Sequence, residues 1–289
     1  MKLCLGTAQF GLDYGINNTS GKIPKEKVIK ILNLAYDNEI IMIDTASAYG
    51  NSETVLGEGI ACTGKKFQII TKYPADTELS PFQWIDTSLS RLKIEKVYGY
   101  LFHNYSIFQK HPEYCEDFVK IKQIGKCEKI GFSLYYPSEA KYIIENNIPC
   151  DIVQIPYNIF DQRFKEVFHE LKSRSIEIHV RSVFLQGLFF INSEDLPSYF
   201  TPIRNKLQEL HTWSERKSID ISTVCLKFAS INKYIDKIVI GVDSLDNLKE
   251  NINNYNMIPS FDMDINWIET LEVIDEQMIL PFNWKVKSL

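Results

Sequence analysis

No stretch of this chain approaches the roughly 18 consecutive apolar residues that a membrane helix needs, so no membrane span is expected. The opening Met1-Lys2-Leu3-Cys4-Leu5-Gly6 moves directly into a strand-like pattern, without the apolar core and small-residue cleavage site of a secretory signal. The six cysteines, Cys4, Cys62, Cys115, Cys127, Cys150 and Cys225, are scattered, with no C-x-x-C pair, and read as reduced structural thiols. These absences make the cytoplasm the expected location. No Lys/Arg-rich run occurs and the formal net charge is −5, which argues against nucleic acid or an anionic membrane as a partner. Also missing is an early G-x-G-x-x-G. The glycines of Gly6-Thr7-Ala8-Gln9-Phe10-Gly11 have the wrong spacing for a Rossmann phosphate loop.

What is present is a repeat: a short apolar run, a turn, then an amphipathic stretch. The runs are Leu3–Gly6, Ile40–Asp44, Phe67–Lys72, Val97–His103, Lys129–Ser133, Ile152–Pro156, Ile176–Ser182 and Ile235–Gly241. Each is nearly continuously apolar, as strands buried on both faces are. Helical patterns lie at Lys25–Asn38, Phe82–Leu92, Tyr114–Ile124, Ser138–Asn146, Phe164–Arg174, Ile203–Lys217 and Ser222–Ala229. Strand and helix alternating without a linker imply parallel strands joined by right-handed crossovers. An open doubly wound sheet would also satisfy this. Eight repeats favour closure, so the expectation is a single-domain (β/α)8 TIM barrel over residues 1–289. Outside the repeat, Ser193–Pro202 reads as a loop beside any ligand. The tail reads as a helix over Asp264–Met278, then Leu280-Pro281-Phe282-Asn283-Trp284, whose aromatics would cap the barrel or border the pocket.

In a parallel barrel, chemistry gathers at the C-terminal ends of the strands. Those ends carry Asp44, followed by Tyr49, then Lys72, His103, Ser133, Gln154, Arg181 and Ser182, and Gly241 leading into Asp243 and Ser244. Taken singly, Lys72 would be a snorkelling surface residue, Tyr49 packing, His103 structural and Asp44 a helix cap. Meeting at one mouth, the four form an acid–base device. Tyrosine, with a pKa of about 10, is a poor acid at neutral pH. A nearby ammonium would lower that value and a carboxylate would hold the ammonium in place. Histidine could orient a carbonyl oxygen. This chemistry requires no metal.

At these residues the chain resembles the aldo-keto reductase family. The segment from Asp44-Thr45-Ala46-Ser47-Ala48-Tyr49-Gly50 to Gly57 is similar to that family's most recognisable motif. The likeness continues, in family order, through Ile70-Thr71-Lys72, Leu101-Phe102-His103, Ile130-Gly131-Phe132-Ser133, Gln154-Ile155-Pro156-Tyr157-Asn158, Ser182–Leu188 and Gly241–Asn251. The resemblance implies a nicotinamide-dependent oxidoreductase acting on a carbonyl or alcohol. Tyr49 would be the proton donor, Lys72 and Asp44 its tuning pair, and His103 the substrate-orienting group. Ser133 and Gln154 would hold the nicotinamide carboxamide, with Gly6 and Thr7 near the ribose. Ser182, Phe184 and Gly187 would lie along the pyrophosphate, and Gly241, Asp243, Ser244, Asn247 and Asn251 around the adenosine half.

Three departures from the family pattern bear on function. Leu134 stands where an asparagine is common, so one amide contact is lost. Arg181 replaces an aromatic ring that stacks on the nicotinamide; it would stack through its guanidinium, bind an anionic substrate group, or pair with a carboxylate. The adenosine stretch offers no cation for a 2′-phosphate, and Asp243 would repel one unless Lys249 turns inward. The family pattern sets NADP as the expected cofactor, with NAD as the alternative that the local chemistry favours. Pocket walls are expected from Phe10, Tyr14, Ala48, Tyr105, Tyr135, Tyr136, Phe160 and Trp284, suited to a sugar ring or an aromatic aldehyde. The opening Leu5–Gly15 resembles a bacterial subgroup linked to surface-polysaccharide sugar metabolism, so a sugar or nucleotide sugar is the expected substrate. Two rival readings are a cofactor-binding regulatory subunit with little turnover and a barrel isomerase or lyase using Lys72 as a Schiff base. No oligomeric state is implied.

Overall fold

A computed structural model describes residues 1–16, 18, 21–75 and 77–284. Eight parallel strands close into a barrel in chain order: β1 (Leu3–Gly6), β2 (Met42–Asp44), β3 (Gln68–Tyr73), β4 (Val97–Phe102), β5 (Cys127–Ser133), β6 (Ile152–Pro156), β7 (Glu177–Arg181) and β8 (Lys237–Gly241). β1 pairs with both β2 and β8, which shuts the ring and excludes the open sheet. All eight strand candidates fall on these elements. The largest trims are at the starts of β2 and β8. Ile40, for example, donates its N–H to Ala35 O and so finishes the preceding helix instead of beginning the strand.

Alternation along the strands sorts the side chains into two cores. Outward residues such as Ile43, Ile69, Phe102, Val153, Ile178 and Ile238 join the helices in one continuous apolar layer. There Phe118 stacks on Tyr100 and Phe102, with centroids 4.6 and 4.0 Å apart. Inward residues Cys4, Met42, Ile70, Leu101 and Ile152 form a separate plug. Two residues further along the same strands, on the same face, stand Gly6, Asp44, Lys72, His103 and Gln154. The apolar plug is therefore the floor on which the polar residues of the mouth rest.

Helices fill the crossovers at Lys25–Asp37, Pro81–Leu92, Tyr114–Gln123, Pro137–Glu145, Phe168–Ser173, Arg204–Lys217 and Ile221–Ser230, as the sequence patterns indicate. Two more, Ser52–Thr63 and Leu245–Asn256, escape the pattern. The first carries Gly57 and Gly59, which weaken the helical signal but permit close packing. A Cβ on Gly57 would stand 2.3 Å from Arg91 O on the neighbouring helix. The second is rich in asparagine and starts at a Ser244 cap that accepts from Asn247 N at 3.1 Å.

The tail departs from the single helix expected over Asp264–Met278. It forms two short helices, Ile265–Glu269 and Glu276–Ile279, each begun by an aspartate cap, Asp264 and Asp275. Between them Val273 N donates to Phe160 O at 2.8 Å, while Leu271 and Val273 are buried and Ile274 is 83% exposed. Docking onto the barrel supplies a backbone bond and two apolar anchors that a continuous helix would forfeit. Segment Ser193–Pro202 packs on this tail, with Phe200 edge-on to Trp284, and contributes nothing to the mouth cavity. Among the described residues no helix is long and apolar enough to cross a membrane.

Gly57→Ala tests the close approach. Helix propensity alone would favour alanine by about 1 kcal/mol. The contact with the Arg91 backbone reverses the sign, and thermal unfolding is expected to show a loss of about 1–3 kcal/mol.

Candidate active site

The centre of the mouth is a buried ion pair. Lys72 Nζ lies 2.7 and 2.8 Å from the two carboxylate oxygens of Asp44 and 3.0 Å from Thr45 O. Asp44 is 3% exposed and Lys72 0%. All three ammonium hydrogens thus have acceptors. Gln154 Nε2 adds a donor to Asp44 Oδ1 at 2.7 Å, tying β6 to β2 across the barrel. The motif around Asp44 also builds the support. Ser52 Oγ donates to Thr7 O at 2.9 Å, Ser47 Oγ to Lys72 O at 2.9 Å, and buried Glu53 accepts from Thr71 Oγ1 at 2.6 Å beside Lys72. Sequence reading treated these residues as part of a motif without assigning them work; the work is scaffolding.

Tyr49 sits on the turn after β2. A Cβ on Gly11 would fall 1.7 Å from Tyr49 O, so the first loop can press against this turn only because residue 11 is glycine. The Tyr49 ring stands edge-on to His103, centroids 5.7 Å apart at 82°, and Lys72 Nζ is 5.3 Å from its centroid. Neither the Tyr49 hydroxyl nor the His103 ring has a hydrogen-bond partner among the described residues, and both line the cavity. Burial first, and then the Asp44 carboxylate, push the Tyr49 hydroxyl well above its ordinary value, while Arg181 pulls the other way. Lys72 stands beside the ring with its charge matched by Asp44. Burial and the cations Lys72 and Arg181 bring His103 down to about 3, leaving a neutral imidazole. The pair is a protonated phenol and a neutral donor–acceptor ring.

The cavity has a volume of about 560 Å³ and crosses the mouth from the loops after β2, β4 and β5 to those after β7 and β8. It brings together Gly6, Thr7, Asp44, Tyr49, His103, Ser133, Gln154, Arg181, Ser182, Phe184, Gly187, Gly241, Asp243, Asn247 and Asn251. Lys72 lies behind Asp44 instead of on the wall. Ser244 caps helix Leu245–Asn256 and lines an adjoining pocket with Asp243, Asn247, Lys249 and Glu250. Beyond the expected stretches, Gln9, Asp220 and Ser222 also line the cavity, and within those stretches so do Gln186 and Glu250. Asp220 was legible as a helix cap, and accepts from Ser222 N at 2.7 Å, but its proximity to Asp243 is a tertiary fact. Of the expected walls, Tyr14 and Tyr135 are present, whereas Phe10, Tyr105 and Phe160 belong to the core. Trp284 packs on Phe200, and Phe282 reaches the edge of the mouth by standing on Tyr135, centroids 4.8 Å apart.

The residues present fit a nicotinamide dinucleotide. Ser133 and Gln154 are register partners on β5 and β6, and the Ser133 hydroxyl and Gln154 Oε1 have no partner among the described residues, as a carboxamide would require. Gln9 Oε1 is buried in the wall without a partner among the described residues. The loop after β7 holds Ser182, Leu185 and Gln186 at φ of 61°, 46° and 54°, a strained curl that faces the cavity. Gln186 Nε2 donates to the Tyr14 hydroxyl at 2.9 Å and Gln186 O accepts from Ile16 N at 3.2 Å, so two loops meet over the cleft. At the far end Asp220, Asp243 and Glu250 line the cavity, and no lysine or arginine of the described residues does so there. Lys249 is turned to Asp246, 2.8 Å away, on the exposed side of its helix.

The profile of the Aldo/keto reductase family matches residues 2–272. An uncharacterized oxidoreductase, YqkF of Bacillus subtilis (strain 168), is 25% identical over 279 residues, covering 87% of this chain and 90% of the relative. An L-galactose dehydrogenase of Arabidopsis thaliana is 24% identical over 285 residues, covering 90% and 88%. Among solved structures, the holo form of the aldo-keto reductase AKR11C1 from Bacillus halodurans shares the fold, with a TM-score of 0.74 at 19% identity, covering 96% of this chain and 95% of that one.

Removing one partner of the buried pair would strand the other charge. Lys72→Met is expected to cost about 3–5 kcal/mol in denaturant unfolding. The double change Asp44→Asn with Lys72→Met should cost less than Lys72→Met alone; an additive loss would show that the two side chains are not coupled in the fold.

Proposed function

The chain belongs to the aldo/keto reductase family and is an NAD(P)H-dependent oxidoreductase, and from that premise we propose that it interconverts a sugar carbonyl and its alcohol, with NAD(H) preferred. The observation that carries the reading is the convergence of the Asp44–Lys72 pair, Tyr49 and His103 on a cavity whose opposite end is acidic. A bound nicotinamide supplies the hydride donor or acceptor. Neutral His103 donates a hydrogen bond to the substrate oxygen and fixes its direction. Tyr49, held protonated by burial, gives that oxygen its proton. The phenolate left behind lies beside Lys72, whose ammonium stabilises it, and Asp44 keeps that ammonium in place. A Schiff base at Lys72 is disfavoured by the same geometry, because a charged, fully buried amine with three acceptors is a poor nucleophile.

The cofactor preference follows from charge. A 2′-phosphate needs charge-assisted donors, and Asp220, Asp243 and Glu250 supply the opposite sign. A carboxylate there would accept from a ribose hydroxyl instead. A sugar substrate is supported by the partly exposed rings of Tyr14 (40%) and Phe190 (38%) among polar cavity groups, and by the L-galactose dehydrogenase among the relatives. A location in the cytoplasm is consistent with this reading.

Tyr49→Phe should lower carbonyl reduction at least about 10²-fold while leaving NADH binding intact. In the wild type, reduction should hold steady from mildly acid to mildly alkaline pH, since His103 is neutral above about 3 and Tyr49 keeps its proton. Alcohol oxidation, which needs a proton acceptor, should rise with pH. A steady-state pH profile in both directions checks this; full turnover by the phenylalanine variant would remove Tyr49 as the donor.

Titration of NADH and NADPH fluorescence should show NADH binding at least about tenfold tighter, and Asp243→Arg should narrow or reverse the ratio. Folded protein that binds neither would sink the reading. Tight binding without turnover of any carbonyl would favour a regulatory subunit.

A further inference from the structure

Arg181 is the one lysine or arginine among the described residues that line the cavity. It ends β7 and has no carboxylate within salt-bridge distance among the described residues. That is unusual in its surroundings. Arg163, on the segment after β6, has its fork filled by Asp161 at 2.8 and 2.9 Å and by Glu276 at 2.9 Å, and also donates to Tyr135 O on the loop after β5. The nearest acid of that loop, Glu139, is engaged by the N–H groups of Tyr135 and Tyr136 at 2.8 and 3.1 Å. A half-buried cation facing a cavity, offset only by the more distant Glu139 carboxylate, gains from the arrival of an anion.

The guanidinium is nevertheless held in one attitude. Nη2 donates to Leu134 O at 3.1 Å, and the group lies over the Tyr135 ring, 4.2 Å from its centroid. Tyr135 is in turn braced by Phe282, by Glu139 and by Arg163. The contact to Ser182 Oγ, at 3.5 Å, is marginal. An arginine has five donors, so most of this fork is free and pre-set to meet an oxyanion. The fork leans toward the loop after β5, away from the curl Ser182–Gly187 of its own loop, and shares the wall with Tyr49, His103, Tyr14 and Tyr135. This direction favours a substrate group over the cofactor's pyrophosphate. Leu134 contributes by its backbone alone: its apolar side chain is buried, and its carbonyl steers Arg181.

Resting on the reading that this cavity takes cofactor and sugar together, we propose that Arg181 binds an oxyanion of the substrate, which is therefore an acidic sugar: a carbonyl or alcohol carrying a carboxylate or a phosphoryl group. The charge-assisted, two-point contact would hold that group while the reacting oxygen lies at Tyr49 and His103. It would also give back the neutralising charge that the empty fork lacks.

The test compares matched sugars in the NAD-dependent assay: a neutral hexose, the corresponding hexuronate and the hexose 6-phosphate. The wild type should prefer one acidic member by at least about tenfold in kcat/KM, and which one identifies carboxylate or phosphate. Arg181→Gln, which keeps a donor for Leu134 O, should erase the preference mainly through KM, with NADH affinity unchanged. Arg181→Lys should recover part of it. A second arm needs no turnover: quenching of bound NADH by oxalate or inorganic phosphate should saturate in the wild type and be lost in Arg181→Gln. No preference and no anion binding in the wild type would overturn the proposal. So would a fall in NADH affinity in Arg181→Gln with the sugar ratio unchanged, which would assign Arg181 to the pyrophosphate. Anion binding retained without turnover of any sugar would instead overturn the sugar reading and leave the Arg181 site standing.

Discussion

The pairing of Lys72 with Asp44 is the constraint around which the mouth of this barrel is organised. Two opposite charges are taken almost wholly out of water, which is tolerable only if every donor and acceptor is met. Lys72 meets Asp44 twice and Thr45 O once, and Gln154 fills a further acceptor site on Asp44. Those bonds join β2, β3 and β6, so the charge pair and the curvature of the barrel stabilise each other. The pair also stands beside Tyr49. Burial first, and then the Asp44 carboxylate, keep that phenol protonated.

Layering makes this arrangement affordable. The inward plug of Cys4, Met42, Ile70, Leu101 and Ile152 excludes water from below. One alternation higher on the same strands, the side chains become glycine, aspartate, lysine, histidine and glutamine. Because strand side chains repeat every second residue, an apolar position fixes the face of the polar position above it. The motif residues Ser47, Ser52 and Glu53 then lock the loop and helix after β2 against β1 and β3. The glycine at position 11 lets the first loop close on the Tyr49 turn. The Tyr49 hydroxyl is thus placed by backbone contact, with no hydrogen-bond partner among the described residues.

Along the cavity the charges are segregated: Arg181 near Tyr49 and His103, and Asp220, Asp243 and Glu250 at the other end. A dinucleotide lying across it would meet carboxylates at its adenosine half, and a substrate would meet a guanidinium with no salt bridge among the described residues. The proposed cofactor choice and the proposed substrate charge both rest on this one asymmetry. The loops that meet through Gln186 and Tyr14 cover the stretch between the two ends, where the lining is mostly backbone and neutral side chains.

The sequence by itself determined the barrel and the identity of its polar rim. Eight buried strands with short, nearly continuous apolar runs leave few alternatives, and strand ends announce themselves where the apolar run stops at Asp44, Lys72, His103 and Ser133. It missed helices Ser52–Thr63 and Leu245–Asn256, because glycine and asparagine weaken local propensity where packing and a Ser244 cap supply the stability. It split the aromatics poorly between wall and core, since Phe10 and Tyr14 differ only in which side of a short loop they occupy. What only the tertiary structure decided is electrostatic. Whether Lys72 tunes Tyr49, whether Arg181 has a partner, and whether Lys249 faces the cavity depend on which charges lie within a few ångströms. Coulomb interactions and desolvation act through space, and nothing in the order of residues along the chain records those distances.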